Sequence, residues 1–199
     1  MLKNKLNITT QRELNVVEEK ITKKKARHLF ESGKLNQLSV GTFKGLSDIH
    51  RHLFEEIFEF AGEIRDVNIS KNDFRFAPIM YLETSLKYVE SMPQSTFDEI
   101  VEKYVEMNIC HPFREGNGRA TRIWLDLIFK KEMGQVMDCN AIDKEDYLSA
   151  MRRSPIKDIE IKYLLKHAMT KDFSKEFFMK GIDASYFYEG YHEYKTENL

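Results

Sequence analysis

Residues 111–122 read His-Pro-Phe-Arg-Glu-Gly-Asn-Gly-Arg-Ala-Thr-Arg. Gly116 and Gly118 permit positive φ, so backbone N–H groups around Asn117 can turn into one hollow. Just ahead of a helix, that hollow gains the positive end of the helix dipole and becomes an anion site. Arg119 and Arg122 lie three apart and project from one helix face, where guanidinium forks match phosphate oxygens. Two such arginines suit a polyphosphate better than a single carboxylate. Glu115 would repel phosphate unless a cation bridged the two, and Mg²⁺ takes one or two protein carboxylates together with phosphate oxygens. His111, with an ordinary pKa of roughly 6.5, can accept a proton at neutral pH. Pro112 restricts the histidine's backbone, and Phe113 is the apolar anchor of the loop.

Each feature alone has a plainer reading: a turn, a solvated helix face, a capping histidine. Their coincidence in one short window favours nucleotide chemistry. It is not a P-loop, because no Gly-Lys-Ser/Thr follows and a helix rather than a strand precedes.

Helices must position this loop. Leu46, Ile49, Leu53, Phe54, Ile57, Phe58 and Ala61 recur at helical spacing and predict an amphipathic helix ending at Gly62. A second helix is expected after Pro78 and stops near Pro93. Thr96 with Glu99 forms a capping-box pattern that opens residues 97–109. Residues 122–133 form the helix after the loop, ending near Gly134. Asp143 caps 145–153, and Ser154-Pro155 reads as a helix start for 156–169. Only 68–78 reads as strand: alternation around Ile69, Phe74 and Phe76, with a Lys71-Asn72-Asp73 turn, predicts a hairpin. Segment 170–183 is charged, ends at Gly181 and leads to a separate C-terminal helix. The expected fold class is all-α with one hairpin.

The 199 residues suit one domain with an appended element. A net charge of -1 gives no footprint for nucleic acid. No apolar run is long enough to cross a bilayer, and the N-terminus lacks a signal peptide's apolar core. Cys110 and Cys139 have no metal or redox spacing, which points to a reduced cytoplasmic protein. Cys110 reads as core, and His50 and His52 as helix-surface residues.

The stretch 111–122 resembles the signature of the Fic family, His-Pro-Phe-x-Asp/Glu-Gly-Asn-Gly-Arg-x-x-Arg, at every defined position. The likeness extends to IHRHLFEEIFEFAG upstream, to the hairpin and to the helices as far as about residue 170. It implies a helical Fic fold over 1–170 with a hairpin flap, followed by a C-terminal segment 171–199. It also implies transfer of AMP from ATP to a Ser, Thr or Tyr hydroxyl of a target protein. In that picture His111 is the general base, and Glu115 holds Mg²⁺ on the α- and β-phosphates. Gly116 and Gly118 cradle phosphates with Asn117 on the α-phosphate, while Arg119 and Arg122 hold the β- and γ-phosphates. The target lies along flap residues Ile69, Ser70, Lys71, Phe74 and Phe76 by β-augmentation.

Ser185, Glu189 and Gly190 match the family's inhibitory motif, Ser/Thr-x-x-x-Glu-Gly/Asn. The resemblance places the chain with compact bacterial members that carry the inhibitory helix in cis, with Glu189 paired to Arg122. Relief could come from dissociation of a homo-oligomer, self-modification at Tyr186, or a partner. Rival readings are AMP removal using Glu189, another phosphate-bearing donor, and a binding module with a vestigial site.

Overall fold

Thr10 opens the first helix, its hydroxyl accepting the Glu13 N–H, and α1 runs over Gln11–Glu31. The computed structural model describes residues 1–71 and 74–199. The sequence reading assigned no element to α1, although Thr10 and Glu13 have capping-box spacing. Helix α2, Phe43–Phe54, starts at Thr42, whose hydroxyl accepts the Gly45 N–H.

α2 stops about two turns earlier than its apolar periodicity predicted. Ile57 and Phe58 both bond back to the Phe54 carbonyl, and the chain continues in turns to Gly62 at φ 79°. Ile57, Phe58 and Ala61 stay buried in the same core. Periodicity reported their burial correctly but not their backbone.

The expected hairpin forms from β1, Ser70–Lys71, and β2, Phe74–Arg75, antiparallel with Ser70 opposite Arg75. Asn72 and Asp73 of the predicted turn lie outside the described residues. Helix α3, Ile79–Ser91, follows Pro78. α4, Phe97–Cys110, carries the full Thr96/Glu99 capping box. α5, Asn117–Met133, begins inside the signature loop and ends at Gly134 in the left-handed region.

A second antiparallel pair, β3 (Val136–Met137) with β4 (Met169–Thr170), had no sequence signal. Two-residue strands are too short to show alternation. Asp143 caps α6, Lys144–Arg153, with bonds from the Glu145 and Asp146 N–H groups. Ser154 does not start a helix. Its N–H still bonds to Ala150 and its hydroxyl to the Met151 carbonyl, so it finishes α6, and α7 begins only at Ile159. The C-terminal helix α8 spans Lys175–Tyr188, earlier than expected, with Gly181 in its interior.

Helix α5 is the central element. Ala120, Trp124, Leu125, Ile128 and Phe129 are fully buried, and α2, α4 and α8 pack around it. A helix apolar on nearly every side belongs in a core. The C-terminal tail returns to α1. Buried Lys23 pairs with Glu19 at 2.9 Å and with Asp183 of α8 at 3.0 Å, and donates to the Tyr194 carbonyl. Glu19 accepts the N–H groups of Glu193 and Tyr194, while Asp183 accepts the Thr196 N–H and hydroxyl. Among the described residues no helix is long and apolar enough to cross a membrane.

Lys23→Met leaves two carboxylates facing each other in a buried site. Urea unfolding is expected to show a loss of about 3–5 kcal/mol, with a loss under 1 kcal/mol contradicting the clasp's contribution.

Candidate active site

The signature loop has few conformational choices. Gly116 sits at φ 76° just before α5, and a Cβ there would collide with the Phe54 ring. Asn117 closes the loop with both ends of its amide: its Oδ1 accepts the Phe113 N–H at 2.9 Å and its Nδ2 donates to the Phe113 carbonyl at 2.7 Å. Its side chain is committed to the loop, which leaves its backbone N–H as the donor it can offer a ligand. The N–H groups of Asn117, Gly118 and Arg119 have no acceptor among the described residues, and all three residues line a cleft of about 520 Å³. Open N–H groups at a helix start are the donors that an anion site requires.

His111 ends α4 at φ 46°, ψ 61°. The extended backbone expected before Pro112 is not what forms. A left-handed non-glycine residue costs about 1–3 kcal/mol and needs its surroundings to hold it. Arg65 does so, its Nε donating to the His111 carbonyl at 2.8 Å. The imidazole stacks on Phe76 at 3.7 Å between centroids. Nδ1 lies 3.3 Å from the Asn108 carbonyl. A carbonyl can only accept, so the proton sits on Nδ1 and the Nε2 lone pair is free to take another. Burial lowers the pKa to about 4, so the imidazole is neutral at pH 7.

The cleft's far side is closed by α8. Arg122 Nε donates to the Ser185 hydroxyl at 2.6 Å, and Nη2 donates to the Ser185 carbonyl at 2.9 Å and to Glu189 Oε1 at 3.0 Å. The guanidinium fork is thus filled by protein. Burial alone would push the Glu189 carboxyl up, but Arg122, Lys71 and Arg119 outweigh it and hold it at about 2. The carboxylate reaches Arg122 only because residue 118 is glycine, since a Cβ there would overlap Glu189 Oε1 and lie 3.0 Å from Arg122 Nη1. Gly190 explains its own place in the motif. At φ 92° it ends α8 in a Schellman turn, with the Tyr191 N–H on the Tyr186 carbonyl and the Gly190 N–H on Phe187. Glu189 is therefore the helix cap, and the chain turns back toward α1.

The Fic/DOC family model matches residues 42–129, which include the whole loop. Over that span the chain is similar to Fic/DOC domains. The probable protein adenylyltransferase y4lH of Sinorhizobium fredii is 28% identical over 166 residues, covering 77% of this chain and 83% of its own. The probable protein adenylyltransferase Fic of Escherichia coli is 29% identical over 170 residues, covering 80% and 82%. The fold matches the crystal structure of BepC from Bartonella tribocorum, which has bound AMPPNP. Its TM-score is 0.69 at 22% identity, with 86% of this chain and 93% of that one covered.

The hairpin stands over the histidine. Phe76 stacks on His111 and Phe74 meets Phe76 edge-on at 5.2 Å. Ile69 is half-buried, Ser70 and Lys71 are exposed, and Lys71 Nζ lies 3.5 Å from Glu189 Oε2. Flap, loop and α8 therefore meet at one place. Tyr186 is fully buried against α1 and Arg119. Its hydroxyl reaches a nucleotide only after α8 moves.

Arg119, expected on phosphate, is held here by two carboxylates. Its Nη1 donates to Glu18 of α1 at 2.7 Å and its Nη2 to Glu115 at 3.1 Å. A guanidinium inside the core takes carboxylate partners in place of solvent.

Three residues that hold the site escaped sequence reasoning. Glu18 is one. Arg65 is another, buried and fanned over the carbonyls of Cys110, His111, Val67 and Ala77, so it ties the end of α4 to the flap's base. His50 is the third and corrects its surface assignment. It is fully buried, stacked on Phe113 at 3.8 Å, donating from Nε2 to the Glu115 carbonyl and accepting the Gly62 N–H at Nδ1. Burial lowers its pKa to about 3. A histidine on an apolar helix face was the available signal. Cys110 is core, as expected, and burial pushes its thiol up to about 12.

Acid weakens this arrangement in two windows. The unfolded chain binds protons on its histidines below about pH 6.5 while folded His111 binds one only near 4, so stability falls as pH drops through that interval. Glu189 adds a further loss between about 4.5 and 2. Urea midpoints against pH are expected to decline on this schedule, and His111→Asn to reduce the slope in the upper window, which His50 shares. An unchanged slope in that variant would contradict the buried, neutral imidazole.

Proposed function

We propose that this protein transfers AMP from ATP to a hydroxyl of a target protein, and that Glu189 holds it inhibited. The observation that carries the reading is the shared cleft. A neutral histidine with a free Nε2, a helix start with open N–H groups and a guanidinium filled by an internal carboxylate line one space. The names of the curated relatives support the same chemistry.

In this reading the triphosphate lies along the start of α5. The open N–H groups of 117–119 hold the phosphate under attack, and Arg122, released from Glu189, grips the terminal phosphate. Glu115 fits Mg²⁺. Its Oε1 is fixed by the Gly116 N–H and Arg119, and its side chain is half open to the cleft. Among the described residues no three His, Cys, Asp or Glu cluster, so the cation would rely on phosphate oxygens and water beyond Glu115. When bound, the cation neutralises charge on the phosphates and the leaving pyrophosphate. His111 Nε2 takes the proton of the target hydroxyl as its oxygen attacks the α-phosphorus. The bond from that phosphorus to the α,β-bridging oxygen breaks, and pyrophosphate leaves with the electron pair. Most of the rate gain comes from placement and charge.

Exposed Ser70, Lys71 and Arg75 leave the hairpin's edges free to pair with an extended target segment, whose side chain then enters beside Phe76 and His111. While Glu189 occupies Arg122, a γ-phosphate finds the fork taken and a carboxylate facing it.

Intact mass after incubation with ATP and Mg²⁺ tests the reading. Glu189→Gly is expected to raise AMP incorporation, on itself or on added protein, by at least tenfold. Adding His111→Ala should remove it. No transfer to any protein by Glu189→Gly, together with no ATP binding, would contradict the reading.

A further inference from the structure

Arg119 is sealed on every side. Its guanidinium and the Glu18 side chain are 1% and 3% exposed, and the rings of Phe54, Tyr186 and Tyr191 stand 4.7–5.4 Å from its central carbon. The Tyr191 hydroxyl donates to the same Glu18 oxygen at 3.0 Å. Two carboxylates therefore share one buried cation, but unequally. Glu18 is wholly enclosed, whereas the Glu115 side chain is 45% exposed toward the cleft. Only Oε1 of Glu115 is held, by Arg119 and by the Gly116 N–H at 2.9 Å, and Oε2 has no partner among the described residues.

We infer that Glu18, on a helix outside the matched family region, is a positioning residue that acts through Arg119 to present Glu115 to a divalent cation on the nucleotide. The inference rests on the proposed function and adds a residue to its machinery. The physics is one of competition. A buried guanidinium needs a full counter-charge, and Glu18 supplies it at 2.7 Å. Glu115 can then give Arg119 a single hydrogen bond, which orients it, and keep its second oxygen for the cation. With Glu18 neutral, Glu115 becomes the only counter-charge for Arg119. It is drawn into the fork and its charge is lost to the cation. A metal-holding carboxylate steered by an outer partner is a general device.

The test uses the full chain in the Glu189→Gly background, so that Arg122 is free. Mn²⁺ binding in the presence of ATP is read by loss of the free-ion EPR signal, and ATP binding without divalent cation by calorimetry. Glu18→Gln is expected to weaken Mn²⁺ binding at least tenfold while changing metal-free ATP affinity less than threefold. Adding Arg119→Gln removes the competitor for Glu115 and is expected to recover most of the loss. Glu18→Asp withdraws the charge by one methylene, gives an intermediate loss, and serves if the Gln variant does not fold. Unchanged Mn²⁺ affinity in the Glu18 variants, or equal losses for Mn²⁺ and ATP, would overturn the inference. If the Glu189→Gly parent binds neither ATP nor Mn²⁺ with ATP, the functional reading fails first and the inference with it.

Discussion

One guanidinium decides the state of this molecule. Arg122 comes from the start of α5, the central buried helix, and its hydrogen bonds to α8 and its cap all go to Ser185 and Glu189. A buried guanidinium without a counter-charge costs several kcal/mol, so the site always requires an anion there. A carboxylate on α8 and a phosphate on a nucleotide are two answers to one demand. In the proposed reading inhibition needs no separate lock: the group that would grip substrate is satisfied by the chain itself.

The geometry of that pair depends on parts with no chemistry of their own. Gly118 leaves room for the carboxylate, and Gly190 stops α8 where Glu189 becomes its cap. The Lys23–Asp183–Glu19 cluster binds α8 and the returning tail to α1. Arg65 and His50 hold the opposite end, fixing the backbone of His111 and Glu115 against the flap and α2. The strained backbone of His111 is stabilised by these contacts.

The loop and the α8 motif were legible in the sequence because their meaning is local. Glycine spacing, arginines three apart and a capping pattern all act within a few residues of themselves. The same holds for the starts of α4 and α6. The supports were not legible, because their partners are far away in the chain. Glu18 meets Arg119 across 101 residues and Arg65 meets His111 across 46. Charged residues of that kind read as solvated surface until the fold encloses them. Misplaced helix ends have a related cause. Apolar spacing continued past Phe54 because Ile57 and Phe58 are still buried, and Ser154 looked like a cap because serine serves both ends of a helix. The side chains of Arg119 and Asn117 are both engaged by the protein, contacts that the motif alone does not reveal.

The central claim is that Arg122 exchanges Glu189 for the end of a triphosphate. The most direct measurement is a crystal structure of the Glu189→Gly protein with Mg²⁺ and a non-hydrolysable ATP analogue. The account predicts the terminal phosphate on the Arg122 fork, the chain of phosphates on the N–H groups of 117–119, and the α-phosphate facing His111 Nε2. A nucleotide bound elsewhere in the cleft, with Arg122 still turned to Ser185 and away from phosphate, would contradict it.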